Sequence, residues 1–572
     1  MLRIKSKIMV FTIAGLLAAL CFRPAAGETP APEPVRVYEG AVELPSYEFS
    51  GRELQPPLFG SSTIQGKYPF APFVRPFKPG GPKPASYRAV FLENEYLRIT
   101  VVPEFGGRVY SLYDKLGGRE VFYSNDVFKP AGYNMKDCFP LFGIELTGPY
   151  DSHAITLYNE PLWFNKVVRH GDGSVSLVMS NIDPVYRMKV SFSARLVPGL
   201  SAMELSVFCY NARDCRNPYM FWISGSMHAT EGTRFIYPMS RTIGHTTSEV
   251  ADWPFYSEVD YSWIRNNKHM LGVFGIDIYD DFQGAYDFDR DCGTFRWADR
   301  RVVQGMKTWT FGISRRATNL ERAYTDGAGS YMEVQSGRHV WDGHYEWLSP
   351  HKQEGWSEWW FPVSGIGGLT TTSRDVALSL EVQADPAGRN SSLRVGLAAN
   401  RQVPGAVVKV RAACGELLEA EADLAPGKPF NRSITKISAD SAGLAGVRVT
   451  VTNPQGAVLL DYERPDHDPG KREYTPFTRQ LEQPQKPVEQ MTAEELVLAA
   501  EYRFKQMSPA AGLNLLHRAL AKDSGLAAAN LDLGLYHYER GRPDSAAVFL
   551  EKVIERDPYN EEAYYYLALS LM

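Results

Sequence analysis

From residue 86 to about 370 the chain is a succession of short runs rich in β-branched and aromatic residues, separated by Gly, Asp and Asn. Leu97-Arg98-Ile99-Thr100-Val101-Val102, Ser174 to Met179 and Arg187-Met188-Lys189-Val190-Ser191-Phe192 are examples. Period-two alternation at strand length, sustained that far with no series of amphipathic helices between, predicts one large antiparallel sandwich. All eleven Trp lie between Trp163 and Trp360, and eight of the eleven His lie between His153 and His351. The same block therefore concentrates the side chains suited to chemistry.

A chain of 572 residues predicts about three or four domains. A formal charge of −5, with no basic tract, argues against a nucleic-acid partner. Residues 1–27 read as a signal peptide: Arg3, Lys5 and Lys7 precede the apolar run Ile8 to Phe22, and Ala25-Ala26-Gly27 follows. Export, to the periplasm or outside, is the expectation. Cys21 after Leu20 is a poor lipobox, so a lipoprotein is the lesser alternative. No other segment has the apolar length of a membrane span. Residues 28–85 are rich in Pro and Gly and read as an extended arm.

Residues 371–464 form a second β-rich block without Trp, of a size that suits a small immunoglobulin-like sandwich. Residues 465–490 are a Pro-rich, polar linker. From 491 to 572 the period becomes helical, beginning at Thr492-Ala493-Glu494-Glu495, which resembles a capping box. Ala499-Ala500 with Leu516 and Ala519, then Leu533-Gly534 with Ala546, Leu550, Val553 and Pro558, repeat at the spacing of tetratricopeptide helices. Such a repeat is a candidate dock for a protein partner. Beyond the leader, five cysteines remain, so a closed disulfide framework is excluded, although Cys209 and Cys215 could close a small loop across a turn.

Three stretches stand out in the aromatic block: Glu93 to Leu112, with Gly106-Gly107 before Arg108; Gly143-Ile144-Glu145 through His153; and Trp222-Ile223-Ser224-Gly225-Ser226-Met227-His228. Asp260-Tyr261-Ser262-Trp263, Tyr286-Asp287, Lys307-Thr308-Trp309 and Tyr331-Met332-Glu333 follow. On these ordered motifs the block resembles a bacterial family classed as a domain of unknown function, of galactose-mutarotase-like supersandwich fold, often followed by tetratricopeptide repeats. The resemblance implies a mainly β chain: supersandwich, small β-sandwich, short helical repeat. Relatives of that fold bind sugars on the concave face of one sheet, and their epimerases use a Glu base and a His acid. By position this implies Glu333 as base and His228 as acid.

Opening an aldose ring requires removal of the anomeric hydroxyl proton and protonation of the ring oxygen, which a carboxylate and an imidazole can serve. Trp222, Trp263, Trp309 and Trp347 are candidate stacking faces for a pyranose. Arg108, Lys307, Asp260 and Asp287 are candidates for its hydroxyls, and Glu145 and His153 for a further wall. About half of the Trp are expected only to fill core. Glu333 with Asp287 or Glu145 would alternatively suit glycoside hydrolysis. His339, His344 and His351 lack a metal-ligand spacing, and no phosphate loop appears, so no cofactor or metal is expected. The sequence thus leaves two classes open: an exported carbohydrate-active enzyme working at the anomeric centre, by hydrolysis or epimerisation, and a glycan-binding protein without turnover.

Overall fold

The computed structural model describes residues 32–48, 80–129, 140–149, 164–182, 187–214, 216–245, 250–340, 346–464, 486–505 and 508–572. The leader expected over residues 1–27 and most of the linker lie outside the described residues.

Among the described residues, the aromatic block folds into two antiparallel sheets, one of 12 strands and one of 8, facing each other as a supersandwich. The five central strands of the larger sheet are labelled β1 (Ile144–Thr147), β2 (Trp222–His228), β3 (Leu271–Ile278), β4 (Gly305–Thr310) and β5 (Tyr331–Gly337), and their spatial order is β1-β2-β5-β4-β3. Strand alternation sends Ile144, Leu146, Ile223, Met227, Met306, Met332 and Val334 into the core between the sheets, where they meet Met203, Leu205, Trp356 and Trp360 of the smaller sheet. Gly225 is required there by close approach: a Cβ on it would lie 2.7 Å from the Trp360 ring. Trp222, Trp253, Trp356 and Trp360 are buried, whereas Trp263, Trp297, Trp309, Trp347 and Trp359 keep partial exposure.

Two features differ from expectation. Within the Pro/Gly-rich segment, Arg36–Ser46 is a strand that pairs antiparallel with Lys83–Glu93 and extends the larger sheet. Its alternating Val42 and Leu44 pack on Tyr87, Phe91 and Phe105, which explains why so polar a stretch is ordered. Second, Cys209 is free rather than bridged: it lies in the middle of strand Met203–Asn211 on the core face, fully buried, and burial pushes its thiol pKa well up.

Residues 371–463 build two four-stranded antiparallel sheets around Leu378, Val395, Leu397, Val408, Val410 and Val449. This small sandwich shares an apolar seam with the supersandwich, in which Ile366, Leu369 and Ala377 pack with Phe282, Tyr286, Phe295 and Phe361. The C-terminal helices are α2 (Ala493–Lys505), α3 (Pro509–Lys522), α4 (Ala527–Glu539), α5 (Pro543–Arg556) and α6 (Glu561–Leu571), following α1 (Arg315–Glu321) in the supersandwich. Thr492 and Glu495 cap α2 reciprocally: each backbone N–H donates to the other's side chain, at 2.8 and 3.2 Å. Gly534 lets α4 lie against Leu550 of α5, a contact that a Cβ would obstruct at 2.8 Å. Among the described residues no helix is long and apolar enough to cross a membrane.

Candidate functional site

The face of β1–β5 turned away from the core is largely polar, because in β1, β2 and β5 the apolar residues fall mainly at the other parity, while Trp222, Phe274 and Trp309 add rings to it. Cross-strand pairing aligns Glu145, Ser224, Gln335, Lys307 and Phe274 in one row, and Ser226, Glu333, Trp309 and Gly272 in the next, with His228 opposite Tyr331. Glu145, Ser224, Ser226, Lys307, Glu333 and Gln335 are all buried. His228 and Trp309 are half-buried, and Ser124 beside His228 is exposed.

Glu333 is fixed by its own strand. Its Oε1 accepts from the Tyr331 hydroxyl at 2.6 Å, and its Oε2 accepts from the Gln335 amide. Residues two apart on a strand share a face, so both donors follow from the alternation Tyr331-Met332-Glu333-Val334-Gln335. An ionised carboxylate offers about four lone-pair sites, so two stay open for a ligand. Burial and the neighbouring Glu333 carboxylate raise the Tyr331 pKa well above the usual phenol value, keeping the hydroxyl protonated and donating. Beneath the face, Gln283 donates to the Gln335 carbonyl at 2.7 Å and Ser336 donates to Glu358 at 2.8 Å. Glu358 pairs with the fully buried Arg296 at 3.1 Å, so β5 is tied to the opposite sheet.

His228, at the end of β2, lies against Tyr123 with ring centroids 4.3 Å apart and the planes tilted by 35°. The Ser124 backbone N–H donates to His228 Nε2 at 3.2 Å. A backbone N–H can only donate, so Nε2 carries a lone pair and the ring proton sits on Nδ1. Burial, with the Arg290 charge adding to it, lowers the His228 pKa from 6.5 to about 4. At neutral pH the imidazole is uncharged, which bears directly on the acid role implied by sequence.

At the β1 end Arg108 and Glu145 form a buried ion pair at 2.7 Å. Gly106 and Gly107, at φ +73° and +69°, make the turn that delivers Arg108, whose guanidinium lies 5.7 Å from the Phe142 ring centroid. At the β3 end the Lys307 ammonium lies 3.4 Å from His245 Nε2 and 4.9 Å from the Phe274 ring centroid.

Of the residues singled out in the sequence, Arg108, Glu145, Trp222, His228, Lys307, Trp309 and Glu333 belong to this face or its rim. Trp222 is nevertheless buried, edge-on to Phe274 at 5.2 Å, and it lies over Gly305 and Gly337, whose missing side chains leave it room. It packs and offers no stacking face. Asp260 belongs to a separate two-stranded hairpin and pairs with Arg234 at 3.2 Å, while Trp263 stands against Phe288 and Arg265. Asp287 lies on the smaller sheet, accepting from Thr230 at 2.9 Å and from the backbone N–H groups of Asp289 and Arg290. Trp347 is in another two-stranded ribbon with Arg216 over its ring. These four lie off the five strands that form the polar face. His153 lies outside the described residues.

The sequence reading missed Tyr331, Gln335, Ser224, Ser226, Ser124 and His245. The signal for four of them was present: in Trp222–His228 and Tyr331–Gly337, polar residues recur at every second position opposite an apolar set. Ser124 and His245 come from outside the five strands, and nothing local to them marks their role.

Residues 62–363 match the family described as a domain of unknown function (DUF5107), just over half of the 572 residues, and the chain belongs to that family. Residues 371–462 match the second domain of YphG-like proteins. Among solved structures, a tetratricopeptide-repeat-domain-containing protein from Parabacteroides distasonis aligns over 94% of this chain and 86% of its own, at 18% identity and a TM-score of 0.55, so the two share a fold. A putative aldose 1-epimerase from Klebsiella pneumoniae aligns over 58% of this chain and 92% of its own, at 12% identity and a TM-score of 0.37. A galactose mutarotase-like protein from Clostridium acetobutylicum aligns over 49% and 96%, at 9% identity and the same TM-score of 0.37.

Proposed function

We propose that this family member is a carbohydrate-active protein that takes the anomeric end of a sugar on the polar face of β1–β5, with Glu333 as general base. The observation that carries the reading is the Glu333 carboxylate, buried among polar side chains, oriented by Tyr331 and Gln335, and left with open acceptor sites. In aldose epimerisation Glu333 removes the proton of the anomeric hydroxyl, the C1 carbonyl forms as the bond from C1 to the ring oxygen breaks, and that oxygen takes up a proton from water. The neutral His228 ring keeps Nδ1–H as a donor for the ring oxygen, while half-buried Trp309 supplies an apolar face. Glu145 is engaged by Arg108, and Asp287 holds its own turn on the other sheet, which favours single-base chemistry over two-carboxylate hydrolysis. The basic, apolar and small-residue pattern of residues 1–27 supports export, and the helical repeat supports docking of a protein partner.

A second reading, sugar capture without turnover, is favoured by one observation: with a pKa of about 4, His228 holds no transferable extra proton at neutral pH. Anomer exchange followed by proton NMR separates the two. Under the epimerase reading the protein speeds exchange of a reducing sugar, and Glu333→Gln lowers the rate at least about a hundredfold, the lower range for a lost general base, with much of the binding kept. Equal loss of binding and rate would remove Glu333 from the base role. Saturation of sugar signals without faster exchange would establish capture.

A further inference from the structure

Lys307 is 7% exposed, and among the described residues no carboxylate pairs with it and its ammonium reaches only the His245 ring nitrogen and the Phe274 ring. Every other charge of the face is engaged: Arg108 holds Glu145, and Glu333 holds Tyr331 and Gln335. A buried ammonium without a counter-ion is costly, and the cost is offset when an anion arrives. Lys307 stands directly opposite Gln335, so it is the diagonal neighbour of Glu333 on the same face.

We propose that the sugar taken by this face carries one negative charge, a uronate carboxylate or a sulfate ester, and that Lys307 pairs with that charge while Glu333 addresses C1. The inference rests on the sugar-binding reading above. A single cation matches a singly charged group; a phosphate monoester, with charge between about −1.5 and −2 near neutrality, would be left under-compensated. His245, 3.4 Å from the ammonium, adds a ring that can contact the same anion.

The test is calorimetric and saturation-transfer binding by the full chain to matched pairs: glucose and glucuronate, galactose and galacturonate, N-acetylglucosamine and its 6-sulfate, with acetate and inorganic sulfate as ions alone. The acidic member of at least one pair should bind about tenfold or more tightly than the neutral one, as a charge-assisted contact implies, and added salt should reduce the preference. Preference among uronates identifies a carboxylate; preference for the 6-sulfate identifies a sulfate ester. Lys307→Met should bring the acidic-to-neutral ratio near one, and Lys307→Arg should retain it, both being compared by thermal melting for intact folding. Neutral sugars binding as tightly as acidic ones would overturn the inference while leaving the sugar reading in place. Retention of the preference in Lys307→Met would also overturn it. Acetate or sulfate binding as tightly as the acidic sugar would reduce the site to an ion site, and no binding of either class would remove both readings.

Discussion

At Glu321 a carboxyl group is buried at the end of α1, where its Oε1 accepts the backbone N–H of Tyr331 at 2.8 Å and so caps the strand that carries Glu333. Burial raises its pKa from 4.5 to about 7. The folded protein therefore holds a proton that the unfolded chain releases between those values, and the stability this supplies is complete below about pH 4.5 and lost as pH rises through about 7. His228 acts oppositely: its pKa is lowered from 6.5 to about 4, so its contribution is lost as pH falls through that window. Glu321→Gln keeps the acceptor for Tyr331 and removes only the first titration. Relative to the wild type it should gain stability from pH 4.5 to 8, by up to about 3 kcal/mol, with the His228 effect cancelling in the difference. Thermal melts of both proteins across that range check this, and a constant difference would refute it. At the same scale, sequence pointed to Glu333, His228, Arg108, Glu145, Lys307 and Trp309. It could not separate Trp222 from them, because the burial of an indole over Gly305 and Gly337 depends on which strands become neighbours.

At the scale of elements, the strands were the most legible part. The period of two in Trp222–His228 and Tyr331–Gly337 fixes both a core face and a polar face before any pairing is known. The pairing itself brings β5 between β2 and β4, and its β2–β5 half joins segments about a hundred residues apart that no local pattern links. The N-terminal strand Arg36–Ser46 was hidden for a related reason: most of its residues are exposed, and it is held in register by Lys83–Glu93, with Phe128 bridging its end. Gly225 tests the tightness of the central strands. A methyl group there meets Trp360, which is fully buried, so Gly225→Ala should lose about 1–3 kcal/mol of stability in denaturant unfolding. An unchanged midpoint would mean that the two sheets are less closely packed at this point.

At the scale of the molecule, the two sandwiches and the helices are joined by different means. The sandwiches share the apolar seam of Phe282, Phe361, Ile366, Leu369 and Ala377. The helices keep their own cores, around Leu516 and Leu533 and around Leu550 and Val553, and touch the supersandwich through polar contacts: Arg213 with Asp557 at 3.6 Å, and the Arg187 guanidinium donating to the Tyr559 carbonyl. The sequence showed the change of period at 491 but not this seam, whose members come from both sandwich segments. Every Trp lies outside the helices, so Trp fluorescence reports the supersandwich and helical circular dichroism reports chiefly the repeat. The helical signal should melt separately from the fluorescence, and Asp557→Ala should shift only the helical transition, by no more than about 1 kcal/mol. Coincident transitions moving together would contradict that division.

The central claim is that the face bearing Glu333 receives the anomeric end of a sugar, and the most direct measurement is saturation-transfer epitope mapping on the full chain with reducing mono- and disaccharides, both neutral and acidic. The account predicts the strongest saturation at and near the anomeric proton of the reducing unit, lost in Trp309→Ala and redistributed in Glu333→Ala. Saturation spread evenly over the sugar and unchanged by both substitutions, or no saturation with any of these sugars, would contradict it.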